Sequence, residues 1–187
     1  MWINYVVIFI YLSFAIDLLI WPIPSEASTS SLISKERDLA TFKSIKGMLL
    51  LLFSLIFYLF PLYLSMNQFI IAEALLSPTS VVLLGLSLAV LGRFVSLKAS
   101  QVLRNNHEVS MVSSSVFKWS RNPITLGMHI TIFGLIICYN SFILYFGFIL
   151  YAVNLHGKIK IEENYLADKF GKKYLRYMKK TPRYLCI

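Results

Sequence analysis

The sequence predicts an all-α fold: a polytopic membrane helix bundle of about five transmembrane helices, followed by a C-terminal cytoplasmic interfacial helix. Three observations predict it. Of the 187 residues 57% are hydrophobic and 14% charged, with a mean hydropathy of +0.68, outside the range of soluble globular domains. Apolar segments recur at close to the ~20 residues that a hydrocarbon core about 30 Å thick requires. The 18 Lys and Arg residues fall on, or near the helix ends of, one side of the bundle.

The first segment, residues 2–21, stops at Trp21-Pro22-Ile23-Pro24, because proline cannot continue a helix. It lacks a basic leader, its apolar run is too long for a cleaved signal, and it carries Asp17, so it reads as a retained span. Asp17 itself reads as a carboxylate snorkelling from a helix end. The Ser-rich stretch 25–34 reads as a flexible loop. The second segment is 46–64 and the third 78–97. On the third, Gly85, Ala89, Gly92 and Ser96 repeat at 4-3-4 spacing and form one small-residue stripe. The fourth segment, 123–139, repeats the pattern with Gly127, Thr131 and Gly134. Such stripes let membrane helices approach closely. Tyr139-Asn140-Ser141 is a tight polar turn into the fifth segment, 142–155, which continues as helix through 156–161.

The basic residues orient the bundle. Neither 65–77 nor 139–141 contains Lys or Arg. Lys35, Arg37, Lys43 and Lys46 lie in the first connection, and Arg93, Lys98, Arg104, Lys118 and Arg121 around the third. Nine more run from Lys158 to Arg183. The positive-inside rule makes that side cytoplasmic, with the N-terminus outside and the C-terminus inside. The formal net charge of +9 is then a surface for anionic membrane lipids rather than for nucleic acid.

Cys138 and Cys186 fall at opposite ends of the bundle and do not pair, and a Cys second from the end is not a prenylation signal. His107, His129 and His156 lack metal-ligand spacing, so no metal is expected. Phosphate-binding glycine loops and the G-x-S-x-G elbow are absent from the sequence, which excludes the usual soluble nucleotide-binding and hydrolase architectures.

Two polar stretches carry the chemistry. Asn122-Pro123 reads as a helix start, Asn capping the free amides and Pro suiting the first turn. With Arg121 beside it, that helix N-terminus also favours an anion such as a carboxylate. Downstream, Lys158 and Glu162 lie four apart on one helix face, with Glu163 and Asp168 following. Phe170-Gly171 supplies a glycine stop. Beyond it Tyr174, Tyr177 and Met178 line one face of a short helix whose lysines point toward headgroups.

From about residue 81 to 185 the chain resembles the isoprenylcysteine carboxyl methyltransferase family, which is related to the phospholipid methyltransferases. The residues that carry the resemblance are Ser115-Val116-Phe117, Arg121-Asn122-Pro123, Thr125, Gly127, Glu162-Glu163, Phe170-Gly171, Tyr174, Tyr177 and Arg183. The resemblance implies an integral membrane methyltransferase that uses S-adenosylmethionine and a lipophilic acceptor arriving from the bilayer. It also implies a cofactor site formed by Val109, Ser110, Met111 and Val112, by Phe117, by Asn122, Pro123, Ile124 and Thr125, and by Glu162 with Glu163. Lys158, or failing it Arg121, would hold an anionic acceptor; for an amine acceptor Glu163 would be the nearest base. The family pattern has His at Val109, Tyr at Phe117, His at Asn122, Tyr at Thr125 and Arg at Lys158. Two other readings share this scaffold, an NADPH-dependent reductase of the sterol reductase kind and a non-catalytic membrane protein. Residues 1–77 form an N-terminal two-helix segment outside the resemblance, and 78–187 the expected methyltransferase core.

Overall fold

The structure, a computed structural model, describes residues 2–19, 45–67, 78–105, 115–139 and 141–185. Its helices are α1 (Trp2–Leu19), α2 (Ile45–Asn67), α3 (Thr79–Arg104), α4 (Pro123–Cys138), α5 (Phe142–Phe170) and α6 (Lys172–Lys180), with a 3-10 turn at Ser115–Lys118. No strand occurs among the described residues. α3 is long and apolar enough to cross a membrane, while Ile3–Ile16 and Pro123–Cys138 are apolar but shorter.

Every expected segment is helical, and the differences lie at the ends. α3 runs about two turns past residue 97, and α5 reaches Phe170 instead of ending near 161. Nothing between 156 and 170 forbids helix, since the next proline is Pro182. α2 continues through Pro61, which lacks one amide of the helical ladder. Arg93 lies inside the third segment as expected, but because α3 runs on to Arg104 it stands about three turns before the helix end instead of about one.

The two small-residue stripes meet face to face. A methyl group placed on Gly92 would lie 2.5 Å from the Thr131 amide and 2.6 Å from the Gly127 carbonyl. One placed on Gly127 would lie 2.6 Å from both the Gly92 carbonyl and the Ser96 amide. Gly85 and Gly134 face each other in the same way, so α3 and α4 pack antiparallel with backbones in contact. Thr131 turns its hydroxyl back to the Gly127 carbonyl at 2.8 Å, so this buried hydroxyl is itself satisfied within α4.

α1 closes the other side of this pair. Val7, Ile10 and Tyr11 are buried with Val82, Leu86, Ala89, Leu135 and Ile136. Arg93 holds α1 from α3: its Nε donates to Ser13 Oγ at 2.7 Å, Nη2 to the Ser13 carbonyl at 2.6 Å, and its guanidinium lies 4.0 Å from the Phe14 ring centre. At the far end Ser65 Oγ meets Tyr139 OH at 2.8 Å and donates to Asn4 Oδ1 at 3.5 Å, tying α2, α4 and α1. Phe9, Leu84, Val90, Phe94, Phe146, Ile149 and Val153 point outward from the bundle. Water would penalise such an exterior, whereas hydrocarbon does not.

Candidate active site

Opposite that end, α4 begins and α5 emerges, and the two polar stretches are brought together here. Pro123 is buried at the first position of α4, where its missing amide has no helical partner to lose. Ser120, also buried, donates to the Arg183 carbonyl at 3.1 Å and accepts from the Asn122 amide at 3.1 Å. The Arg121 amide donates to the Pro182 carbonyl at 2.9 Å. Residues 181–185 therefore lie as a strap across the start of α4.

Glu163 is the centre of the arrangement, 1% exposed. Its Oε1 accepts from Arg121 Nε at 3.0 Å and Asn122 Nδ2 at 3.3 Å. Its Oε2 accepts from Arg183 Nε at 2.9 Å and Nη2 at 2.6 Å. Arg121 Nη1 donates in addition to the carbonyls of Thr181 at 2.6 Å and Met178 at 2.9 Å. One carboxylate thus faces two guanidinium groups, and the knot keeps a surplus positive charge.

Asn122 requires a correction. Its side chain makes no cap on α4; Nδ2 is drawn to Glu163 and to the Arg183 carbonyl at 3.3 Å. A cap would use Oδ1 as acceptor for a first-turn amide, whereas the buried carboxylate, a stronger acceptor than a neutral group, orients the side chain through its Nδ2 donor. Pro123 alone marks the helix start.

Gly171 turns the chain from α5 into α6. Its φ of +52° and ψ of −133° lie where only glycine is unstrained. The turn folds α6 back so that Tyr174 and Tyr177 are buried against the site. Burial pushes the Tyr177 phenol up to about 12, so it stays protonated and donates to the Phe117 carbonyl at 2.6 Å. Tyr184, at the strap's end, meets His156 Nδ1 at 2.9 Å and packs with its ring 6.3 Å from that of His129. His129 donates from Nδ1 to the Thr125 carbonyl at 2.7 Å, since a carbonyl can only accept. Two histidines without metal-ligand spacing thus line the α4–α5 seam beneath the strap.

Of the expected site residues, Arg121, Asn122, Pro123 and Glu163 converge, and Phe117 joins them through Tyr177. Ile124 and Thr125 are half-buried on the first turn of α4, and Glu162 is half-buried beside Glu163. Val109, Ser110, Met111 and Val112 lie outside the described residues, as does His107; Lys158 is placed on α5, but its side chain is outside the description. Sequence reasoning missed Ser120, His129, His156 and Tyr184 as contact residues and held Arg183 only as part of a pattern. A signal existed for Arg183: tail cations greatly outnumber tail carboxylates, so a buried acid there would draw more than one.

Burial alone would raise the Glu163 carboxyl, but hydrogen bonds and charge from Arg183 and Arg121 more than offset this and hold it below its ordinary 4.5. A depressed carboxylate stabilises the fold above its unfolded value and loses that contribution as pH falls through the folded one. The melting temperature is therefore expected to hold steady down to about pH 5 and to fall only below the ordinary glutamate range. A Glu163→Gln protein should lack that acid-side drop in a pH series of thermal melts.

An apolar-sided helical bundle sealed at one end by a buried charged knot defines a helical membrane protein with its polar site at one end of the bundle. The phospholipid methyltransferase family profile matches residues 69–173, more than half the chain. The chain belongs to that family of membrane methyltransferases. Members of the family generally use S-adenosylmethionine. Among curated proteins there is no match.

Proposed function

We propose that this protein transfers a methyl group from S-adenosylmethionine to a lipophilic acceptor, with the cofactor's carboxylate toward the knot and the acceptor's tail between helices. The cofactor carries a carboxylate, and the knot of Arg121 and Arg183 around Glu163 holds one more positive charge than negative. Glu162, half-buried on the adjoining face of α5, suits the ribose hydroxyls or the ammonium. Residues 109–112, Phe117 and the turn 122–125 complete the pocket in this reading. The sulfonium supplies an already activated methyl, so the protein's task is positioning and exclusion of water.

The state of Glu163 favours a carboxylate acceptor, as in an isoprenylcysteine. A protonated amine must lose a proton before it attacks, and Glu163, occupied by four N–H donors and held below its usual range, is a poor base. A carboxylate oxygen needs no base. Arg121 is engaged with Glu163 and two carbonyls, which leaves Lys158 the better clamp for that acceptor. The family match favours the second reading, N-methylation of a phospholipid headgroup. The reading includes a five-span topology with the N-terminus outside, the C-terminus cytoplasmic, and residues 78–187 as the catalytic unit behind the two-helix segment 1–77.

Binding of labelled S-adenosylmethionine and of NADPH to purified protein tests the reading. The first should bind and the second should not; NADPH alone would indicate a reductase, and neither a scaffold without catalysis. Glu162→Gln should weaken S-adenosylmethionine binding about tenfold to a hundredfold, the worth of one charge-assisted hydrogen bond. Lys158→Met should leave that affinity intact and depress turnover of a prenylcysteine analogue, with Lys158→Arg retaining it. Faster turnover of phosphatidylethanolamine by Lys158→Met would identify the amine reading.

A further inference from the structure

α6 holds five cations in nine residues, Lys172, Lys173, Arg176, Lys179 and Lys180, and no acid. At 3.6 residues per turn, all five and Leu175 fall within an arc of about 160°, with Arg176 and Lys172 near its centre. The accessibility follows that arc. The five cations are exposed and Leu175 is 49% exposed, while Tyr174 and Tyr177, on the opposite side, are buried. Around Arg176, like charges stand three and four residues away in both directions. That spacing is repulsive in water, and no acid within the helix relieves it. An exposed leucine at the edge of a cationic arc suits a boundary with one apolar and one anionic partner. Trp119, 70% exposed at the same end of the bundle, has the side chain expected at that depth.

We propose that the outer face of α6 binds anionic phospholipid headgroups of the membrane in which the protein sits, and that this contact steadies the strap over the site. The second half follows from the other side of the same helix. Tyr177 donates to the Phe117 carbonyl, and the carbonyls of Met178 and Thr181 accept from Arg121. Headgroups that neutralise Lys172, Arg176 and Lys179 remove the repulsion from the element that positions Arg121, and through it Glu163. Phosphate groups supply the charge, and Leu175 reaches the acyl boundary beside them. The proposal extends the membrane assignment and does not depend on which acceptor is methylated.

The test uses the full chain with Leu175→Trp, reconstituted in vesicles containing brominated phosphatidylcholine or, at equal mole fraction, brominated phosphatidylglycerol. Quenching of the added tryptophan, taken against the parent protein, reports which lipid touches α6. Several-fold stronger quenching by the phosphatidylglycerol is expected. It should shrink to parity at about 1 M salt, where the screening length falls to roughly 3 Å, and in a protein also carrying Lys172→Gln, Lys173→Gln, Lys179→Gln and Lys180→Gln. Equal quenching by the two lipids at low salt would overturn the selectivity, and no quenching by either would place the face in water. For the coupling, hydrogen exchange at residues 177–183 should slow at least threefold when phosphatidylglycerol replaces phosphatidylcholine. An unchanged rate would overturn that half. Neither readout needs methyl transfer, so loss of activity and loss of lipid selectivity are separable results.

Discussion

Glu163→Gln is expected to destabilise the protein by about 3–5 kcal/mol, the range for removing one partner from a buried ionic cluster. Arg121 and Asn122 would lose their charged acceptor on Oε1, and Arg183 its partner on Oε2. Two guanidinium groups would then face each other, the first only 8% exposed at its side chain. Gln keeps the volume and one acceptor, so the loss reports charge rather than a cavity. The neighbouring Glu162→Gln provides the contrast, with cofactor affinity falling and a smaller loss of thermal stability, since its side chain is half-buried and Glu163 is fully buried. Thermal melts of both variants with and without S-adenosylmethionine decide the matter. If Glu163→Gln melts like wild type, the carboxylate is not what binds the strap to α4.

Gly92→Ala is expected to be nearly as damaging, at about 3 kcal/mol, the upper part of the range for overpacking. Its new methyl would meet the Thr131 amide and the Gly127 carbonyl, both backbone and unable to swing aside, as well as the Thr131 hydroxyl at 2.8 Å. α3 and α4 would have to separate, and the contacts of Gly85 with Gly134 would loosen with them. Gly157→Ala is the internal control. Nothing lies within 4 Å of a methyl group there, and the residue sits inside α5, so alanine should stabilise by about 0.5–1 kcal/mol. Melting of the two variants in one detergent tests the pair. Equal and small effects would mean that the α3–α4 seam is looser than these distances.

The contrast between these glycines marks where sequence reading stops. Gly85, Gly92, Gly127 and Gly134 recur at helical spacing, and close packing was legible from that period alone. Gly157 falls outside any such stripe. Gly171 was legible too, since a glycine after a long apolar-to-charged helix is the residue that a left-handed stop needs. The helix ends were less so. No residue between 156 and 170 forbids helix, and what prolongs α5 is its contact with α6 and the strap, which local propensity does not contain.

Within the site, the sequence placed Arg121, Asn122 and the Glu pair among the functional residues and named the family's chemistry through them. It could not distinguish Glu162 from Glu163, because adjacent helical residues differ by about 100° and only the packed neighbours decide which is inward. It took Asn122 for a cap, since a cap is the local use of that side chain, whereas the structure offers it a buried carboxylate from 41 residues further on. Arg93 shows the same limit. As a lone cation in an apolar run it was read as lying near a helix end, and only α1, arriving with Ser13 and Phe14, explains how it is tolerated inside the bundle.

By itself, then, the sequence determined the all-helical class, the small-residue seam and the broad class of membrane methyltransferases, though not the particular family within it, because these rest on periodicity and on residues near one another along the chain. The tertiary structure alone decided which carboxylate is buried, which cations neutralise it and that residues 181–185 close the site. Those are choices among partners distant in the chain, and the free energy of a buried charge depends on all of its neighbours at once.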